Sequence, residues 1–427
     1  MVVENNIPEG WVDTTLGDIS TRKQYGYTES ASNEKIGPKF LRITDIQNDF
    51  ISWDKVPYCP ISDEDFTKYK LQVGDVVIAR TGNSTGATAT IKENIHSVFA
   101  SYLIRFQINK QLADYDFVDF LLRSKLWDGF VNSVKSGSAQ GGANANDFAL
   151  FPIYLPPLQE QKAIAKVLTS FDDKIELLQA QNKTLETMAQ TIFKEWFGKY
   201  QIGDELPDGW RVTNINEFIE SSIGGDYGKE TVEGDYTEET ICLRGTDLPD
   251  MKTGTPKKAP IRFLKSSKLK RCKVENGDIV VEISGGTENQ STGRVMYINE
   301  RILSSANHPM TCVNFCRIIR PLKLEYSYFL YSLFDYLYTR KVFFNWENGT
   351  TGIKNLNLKA LLEDFDLLIP ENGDLILDFN KNVKASFNKI QTNNSQIQSL
   401  SKTRDTLLPK LMSGQVRVKN IKHTADA

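Results

Sequence analysis

Histidine and cysteine residues that could bind a metal or act in catalysis are few in this sequence. The three histidines, His96, His308 and His423, lie outside any metal-binding helix motif. His308, Cys312 and Cys316 fall at four-residue steps, which would suit a zinc site. The two cysteines, however, lie in the apolar segment TCVNFCRII, where alternation predicts buried strand residues, and no fourth ligand is nearby. We therefore predict no zinc site.

Other near-matches to catalytic motifs each lack a required residue. The segment from Gly224 to Lys229 resembles a phosphate-binding loop, but its glycine spacing is wrong and Glu230 stands where Ser or Thr would hold magnesium. Pro156 and Pro157 have leucine neighbours, whereas an amino-methyltransferase motif needs an amide or carboxylate before the pair and an aromatic residue after it. Neither segment predicts catalysis.

Two carboxylates in the segment GDIVVEIS are the remaining candidates for an active site. No lysine follows Glu282 at the spacing of a metal-dependent nuclease, so Asp278 and Glu282 are expected to be a strand-end and an exposed-face carboxylate. Without a catalytic motif, the sequence favours a binding protein over an enzyme.

A run of basic residues offers a different chemistry, the binding of phosphate groups. Residues 257 to 273, KKAPIRFLKSSKLKRCK, contain eight basic residues and no acid, in a chain whose net charge is −3. Such a segment can follow the phosphates of a nucleic acid, although a solvated surface is the alternative. The candidate DNA-binding residues in this run are Lys258, Arg262, Lys268 and Lys270.

Polar loops offer side chains that could distinguish bases. The segments ARTGNSTG and SGGTENQSTGR combine Arg, Asn and Gln, which pair with guanine and adenine in the major groove. Turn formation alone would also select Gly, Asn, Ser and Thr, so that interpretation stays open. The candidate DNA-binding residues are Arg80, Thr81, Asn83, Ser84, Ser284, Asn289, Gln290 and Arg294 in these two segments, with Lys135, Ser138, Gln140 and Lys354 in a further polar loop of each half.

The elements that must position these residues occur twice. IPEGW near the start is matched by LPDGW from residue 206, FLRITDIQND by CLRGTDLPDM, and KLQVGDVVIA by KVENGDIVVE, in the same order at an offset of about 200 residues. Short alternating segments between Gly, Asp and Asn turns predict strands, followed by helices and a strand that ends in proline. The chain is therefore predicted to contain two copies of one α+β plan.

A long helix is predicted after each copy. Residues 156 to 198 contain neither Gly nor Pro between Pro157 and Gly198, and their apolar residues recur in a heptad pattern, as do those from about Asp378 within 373 to 414. Asn182 occupies a core position of the first pattern, where a buried amide can fix register. The predicted seam residues are Ile164, Leu168, Phe171, Ile175, Leu178, Asn182, Leu185, Ile192, Trp196, Val383, Ile390, Ile397, Leu400, Leu407 and Leu411.

The predicted architecture is thus two globular domains of mixed sheet and helices, separated by two long helices in an antiparallel coiled coil. We predict a first globular domain at residues 1–155, helices at 156–198 and 373–414, a second globular domain at 199–372 and a tail at 415–427. An apolar fraction of 40% suits packed cores, and the odd set of five cysteines suits reduced thiols. With no apolar run of about 20 residues and no export signal, a cytoplasmic location is predicted.

The whole pattern resembles the DNA-specificity subunit of type I restriction-modification systems. The matching stretches are LPPLQEQKAIAKVLTSFDDKIE and TLETMAQTIFKEWF in the middle and SLSKTRDTLLPKLMSGQVRV at the end. The resemblance covers the whole chain, although IPENGDLILDFNKNV departs from the family's proline-pair and glutamine-rich start of the second helix.

The resemblance implies that each globular domain is a target-recognition domain for one half of a split double-stranded DNA target. It also implies that the helices set the spacer and dock two methyltransferase subunits, which motor-nuclease subunits join. S-adenosylmethionine, ATP and Mg are then expected in those partner subunits, and none in this chain, which is not expected to be an enzyme or to contact a membrane. A non-catalytic scaffold with two protein-binding heads is the alternative.

Overall fold

The protein folds as two compact units in a computed structural model that describes residues 7–46, 51–136, 142–252, 259–349 and 354–418. Unit 1 consists of the chain up to residue 173 together with the segment from 401 onward, and unit 2 of residues 174–400. Each of the two long helices contributes one part to unit 1 and the other part to unit 2.

Unit 1 holds the first copy of the repeated plan. Its strands are β1 Val12–Thr15, β2 Ser20–Tyr25, β3 Lys39–Leu41, β4 Asp75–Ala79, β5 Thr88–Thr90, β6 Ser97–Phe99, β7 Leu103–Ile108 and β8 Pro152–Leu155. Its helices are α1 Asp63–Tyr69, α2 Tyr115–Leu122, α3 Lys125–Ser136, α4 Ala145–Ala149 and the first part of α5 Leu158–Phe197.

The central sheet of unit 1 is antiparallel with strand order β2-β7-β4-β5. Strands β3 and β6 form a parallel pair, and β1 pairs with β8, the strand directly before α5. The largest core of the unit joins this framework to both long helices, since Ile164 and Leu168 of α5 lie in the same apolar cluster as Leu411.

Unit 2 holds the second copy. Its strands are β9 Trp210–Thr213, β10 Ile219–Gly224, β11 Tyr236–Leu243, β12 Ile261–Lys265, β13 Ile279–Glu282, β14 Ser284–Gly286, β15 Val295–Tyr297, β16 Met310–Cys312, β17 Cys316–Pro321, β18 Glu347–Asn348, β19 Lys354–Leu356 and β20 Leu367–Pro370. Its helices are the second part of α5, α6 Leu248–Lys252, α7 Ser266–Cys272, α8 Glu300–Ser305, α9 Ser327–Thr339, α10 Leu358–Asp364 and the first part of α11 Asp374–Met412.

The second copy repeats the topology of the first. Its central sheet has the order β10-β17-β13-β15, β11 and β16 form a parallel pair, and β9 pairs with β20, the strand before α11. The two copies also share local contacts: Arg42 chelates Asp45 in LRITD, and Arg244 chelates Asp247 in LRGTD, each through the Nε and Nη2 groups. The duplication seen in the sequence is therefore present in the fold.

The carboxylates of Asp278 and Glu282 are buried, whereas the sequence pattern predicted a strand-end and an exposed-face position. Their exposed fractions are 1% and 2%, so neither is an exposed-face residue. Arg320 donates two hydrogen bonds to Asp278 at 3.0 and 2.9 Å, and Arg294 donates to both oxygens of Glu282. Burial of these two acids is possible because each is paired with a guanidinium.

The two long helices run antiparallel within unit 2. The end of α5 meets the start of α11, where Phe197 and Phe379 pack with ring centroids 5.6 Å apart. Farther back along α5, Asn182 is hydrogen-bonded to Asn393, which lies farther along α11. In unit 1, Asp172 of α5 is likewise paired with Arg404.

Helix α11 begins at Asp374, earlier than the apolar pattern from Asp378 suggested. The side-chain oxygen of Asn372 accepts a hydrogen bond from the Asp374 N–H at 3.2 Å, which satisfies one free donor at the helix start. The first turn also places Ile376 in the core, fully buried. The three consecutive apolar residues of this turn, Leu375 to Leu377, have no helical spacing, so the sequence pattern did not locate this start.

All five cysteines are buried and free of disulfides. Cys312 ends β16 and Cys316 begins β17, so both are strand core residues as predicted. Burial raises the pKa of the Cys59 thiol to about 11 and those of Cys242 and Cys312 to about 12. Among the described residues, no acid, cysteine and histidine cluster could hold a metal ion, and no helix is both long and apolar enough to span a membrane.

Glycines at equivalent positions of the two copies give a stability prediction. Gly86 and Gly293 have φ values of +89° and +117°, and a Cβ atom there would clash with Val131 and Phe343 respectively. Because backbone strain adds to overpacking, we expect Gly86→Ala or Gly293→Ala to destabilise its unit by about 2–4 kcal/mol in urea denaturation.

The matched control is Gly82→Ala in the same loop as Gly86. Gly82 also has a positive φ, +67°, but no atom lies within 4 Å of the place that a Cβ would occupy, so only the backbone strain applies. A loss of stability at Gly86 no larger than that at Gly82 would contradict the packing argument.

Candidate nucleic-acid interface and helix pair

Arg80 joins two polar loops in unit 1. It directly follows β4, its N–H donates to the carbonyl of Tyr102 at 3.1 Å, and its own carbonyl accepts from the N–H of Ala143 at the same distance. Its guanidinium lies over the ring of Tyr25, 5.0 Å from the centroid. The hairpin loop and the loop before α4 are thus held side by side, with a cation–π contact orienting the arginine.

The remaining hairpin residues of unit 1 form a compact turn. Thr81 is extended and precedes a short 3-10 turn, Gly82–Ser84. Asn83 at the centre of that turn is exposed, whereas Thr81 is half-buried. The exposed amide of Asn83 is therefore available to a ligand.

The third polar loop of unit 1 is only partly described. Lys135 is half-buried in the last turn of α3, while Ser138 and Gln140 lie outside the described residues. The side chain of Asn144 accepts hydrogen bonds from two backbone N–H groups at the start of α4 and completes a capping box there. Asn144 is thus used as a helix cap, which turn-forming residues commonly are.

In unit 2 the equivalent loops pair as strands. Ser284 of β14 lies opposite Asn355 of β19, and β19 also pairs with β18. The Lys354 ammonium lies 3.4 Å from the carboxylate of Glu347, which holds it within this small sheet. In both units, therefore, the structure brings the hairpin loop and the third polar loop together.

Arg294 differs from the other candidates because it forms an internal ion pair. Its Nε donates to Glu282 at 2.8 Å and its Nη2 contacts the other carboxylate oxygen, so the hydrogen bond to Glu282 raises the pKa of Arg294. The first copy has Ala79 and Ala87 at the equivalent positions, with the same backbone hydrogen bond between them. This pair uses the donors that would otherwise form a fork for guanine.

The other two hairpin candidates of unit 2 are accessible. Asn289 and Gln290 are both exposed, and the Gln290 side chain donates a 3.4 Å hydrogen bond to the hydroxyl of Tyr338. The tip of the hairpin therefore presents two amides, one of them oriented by Tyr338.

The basic run is partly neutralised by acids from another segment. Arg262 pairs with Glu230 at 3.0 Å, and Lys268 lies 3.9 Å from Asp226. Lys270 is exposed on α7 and has no ion-pair partner among the residues described, and Lys258 falls outside those residues. The sequence could not reveal these pairings because the acids lie about 30 to 40 residues before their partners.

Three asparagines, two of them buried, form a hydrogen-bond network in the helix pair of unit 2. Asn182 donates to Asn394 at 2.7 Å and accepts from Asn393 at 2.8 Å, and Asn393 also donates to Gln181 at 2.8 Å. Asn182 and Asn393 are only 5% and 0% exposed. The partner of Asn182, which the sequence left unknown, is thus a pair of amides on α11.

The same network reaches the globular part of unit 2 through Lys252. Asn394 donates to the Lys252 carbonyl at 3.0 Å, and the Lys252 ammonium contacts Asp335 of α9 at 2.7 Å. Burial opposes the charge of Lys252, but Tyr331, Asp335 and Glu186 outweigh it, so the pKa of Lys252 is raised. Sequence reasoning missed Lys252, and the adjacent asparagines of α11 were the only signal.

The predicted seam residues all avoid full exposure, but they serve two kinds of contact. Ile175, Leu178, Ile397 and Leu400 pack together between the two helices. The other apolar seam residues pack in or against the globular core of their unit, apart from Phe171, which is half-buried. They are Ile164, Leu168, Leu407 and Leu411 in unit 1 and Leu185, Ile192, Trp196, Val383 and Ile390 in unit 2. The heptad pattern therefore indicates which face of each helix is buried, whether against the other helix or against a globular core.

Arg404 falls at the heptad spacing of Ile397 and Leu411, on the seam of the second long helix, and there an ion-pair cluster replaces apolar packing. Arg404 donates to Asp172 at 2.6 Å, and Arg123 at the end of α2 donates to the same carboxylate at 3.0 Å. This cluster explains how an arginine fits the second seam.

The asparagine network gives a second prediction. Asn182→Leu would leave the buried amide of Asn393 and the half-buried amide of Asn394 without one partner each, so we expect a loss of about 1–3 kcal/mol in unit 2. Asn182→Leu with Asn393→Leu should regain part of it, because apolar pairs replace buried polar pairs well. Hydrogen exchange of residues 174–197 would measure both effects.

Lys183→Leu is the control for this experiment, because Lys183 is exposed and adjacent to Asn182. Faster exchange in Lys183→Leu than in Asn182→Leu would show that the network does not stabilise the helix pair.

The chain is similar in sequence to known proteins. Residues 8–187 match the type I restriction modification DNA specificity domain. The chain is similar to the MjaIX specificity subunit of Methanocaldococcus jannaschii, with 25% identity over 72% of this chain and 70% of the relative. It is also similar to the HindI specificity subunit of Haemophilus influenzae, with 21% identity over 95% of this chain and 99% of the relative.

A solved structure shares the fold. The S subunit of a type I restriction-modification system from M. genitalium aligns over 96% of this chain and 98% of its own, with a TM-score of 0.55 and 16% identity. At that identity the likeness concerns the fold alone, but it spans both copies. Over most of its length the chain is thus similar to specificity subunits of type I restriction enzymes, and its first copy matches their DNA specificity domain.

Proposed function

We propose that this chain recognises DNA without catalysing a reaction, and that each copy of the repeated domain binds one half of a bipartite duplex target. The observation that carries this proposal is the repeated pairing of a polar hairpin loop with a second polar loop, Arg80 with Ala143 in one copy and Ser284 with Asn355 in the other. Loops rich in Arg, Asn and Ser on a strand framework suit groove contacts.

The proposed domain division keeps the predicted bounds, with recognition domains at 1–155 and 199–372. The helices at 156–198 and 373–414 set the spacer between half-sites and dock two methyltransferase subunits. Motor-nuclease subunits complete the assembly. S-adenosylmethionine, ATP and Mg belong to those partners in this proposal.

Selection of duplexes from a random pool would test the proposal. The chain assembled with its methyltransferase should enrich two short motifs separated by an unread spacer of fixed length. Enrichment of no motif would contradict it. Association with proteins but not with DNA would instead favour a scaffold with two protein-binding heads.

The helix pair gives a third prediction, the length of the spacer. Four residues inserted after Asn182 and four before Asn393 lie at the same level of the antiparallel pair and lengthen both helices by about 6 Å, and one base-pair step is about 3.4 Å. We therefore expect the spacer to grow by one or two base pairs with both motifs unchanged, as measured by the same selection. Changed motifs with the original spacer would contradict a spacer-setting role.

The basic run gives a fourth prediction. Lys270 and Arg271 are exposed on α7, so Lys270→Ala with Arg271→Ala should weaken binding to all sequences alike. The slope of log K against log salt should fall by about 1 for each phosphate that the variant no longer neutralises. Binding titrations between 50 and 200 mM salt, roughly the range over which such slopes are measured, would determine it.

The control removes the same charge elsewhere, with Lys381→Ala and Lys384→Ala on the exposed face of α11. An equal change of slope in the control would show an effect of net charge. Loss of a single base preference in the α7 variant would mean that these residues contact bases.

A further inference from the structure

Two exposed aromatic rings occupy the same position in the two copies. Tyr102 is 55% exposed and Phe315 is 59% exposed, and both directly precede the equivalent strands β7 and β17. Each is the third residue of a β-turn, closed by the Leu103 N–H to the Ala100 carbonyl and by the Cys316 N–H to the Val313 carbonyl, both at 2.9 Å. The two rings are therefore related by the duplication.

The turn that carries each ring is hydrogen-bonded to the candidate hairpin loop. The Arg80 N–H donates to the Tyr102 carbonyl at 3.1 Å, and the Ile283 N–H donates to the Phe315 carbonyl at 2.8 Å. Residues opposite each other on adjacent strands have Cβ atoms about 5 Å apart. Each ring residue thus lies opposite Arg80 or Ile283, where the strand leads into the loop that is proposed to enter the groove.

The two rings take no part in the ring contacts that the described residues form. Neither has an aromatic or cation–π partner in the described parts of the chain, although ring pairs are common there and most of them lie in the cores. Their neighbours differ between the copies, with Ser101 and Asn314 before the rings and Arg80 and Ile283 across from them. An aromatic ring has been kept at an exposed position while the residues around it have changed, which points to contact with a ligand.

We propose that Tyr102 and Phe315 are specificity-determining residues, each packing its ring against the C5-methyl group of a thymine in the half-site bound by its own domain. This inference rests on the proposed function. Apolar contact with the thymine methyl is an established form of base readout, and the adjacent loops supply the hydrogen-bonding groups for neighbouring bases. Each recognition domain then presents an aromatic ring and a polar loop from the same edge of its central sheet, one for apolar and one for hydrogen-bonded base contacts.

The experiment uses the chain assembled with its methyltransferase and the half-sites found by selection. Each thymine of the target is replaced in turn by deoxyuridine, which lacks only the methyl group. For the unmodified protein, one replacement in each half-site should weaken binding about fourfold, the effect of one buried methyl group. Tyr102→Ala should remove this sensitivity in one half-site only, and Phe315→Ala in the other half-site only.

Two leucines provide matched controls. Leu112 and Leu322 are 47% and 53% exposed and lie beyond the opposite ends of β7 and β17. Leu112→Ala and Leu322→Ala should leave every deoxyuridine effect unchanged. Tyr102→Phe keeps the ring and should keep the sensitivity, which separates loss of the ring's contact from loss of folding.

Several results would overturn the inference. These are alanine variants that bind like the unmodified protein, deoxyuridine effects that persist in the variants, half-sites that contain no A·T pair, and weaker association with the methyltransferase in place of weaker sequence preference. Failure of the unmodified protein to select any motif would overturn the proposed function as well, and the selection step detects that outcome before the variants are compared.

Discussion

The buried amides of the helix pair set the geometry on which unit 2 depends. Asn182 is hydrogen-bonded to both Asn393 and Asn394, so a shift of one helix along the other would place these amides against apolar side chains such as Leu178. Unpaired amides in that environment are costly, and the network therefore fixes one register. Because Asn394 also binds the Lys252 carbonyl, the same register positions α6.

The two copies show how one framework carries different loops. The contacts that shape the turns are local and repeated, as in the arginine–aspartate pairs of LRITD and LRGTD. The hairpin positions are free to differ, since Ala79 and Ala87 are replaced by the Glu282–Arg294 pair without a change in the backbone hydrogen bond between them. A framework held by its own short-range contacts can accept new binding residues without refolding.

Much of the fold was predictable because it follows periodic patterns. The repeat, the strand positions of Cys312 and Cys316 and the two long helices follow from alternation and heptad spacing. Pairings between distant segments were not predictable. The partners of Asn182 lie more than 200 residues away, and the acids that neutralise Arg262 and Lys268 come from a separate loop. Sequence composition around Glu282 carried no sign of the guanidinium that permits its burial.

The burial of the five cysteines has a practical consequence for labelling chemistry. Alkylating reagents attack an accessible thiolate, and burial keeps all five thiols from the reagent. Burial also raises the pKa of Cys59, Cys242 and Cys312, so these three supply very little thiolate near neutral pH. Cysteines introduced at the exposed Asn83 and Asn289 would therefore react selectively with a fluorophore in the native background. The distance between the two dyes in the unbound protein then becomes measurable without first removing a natural cysteine.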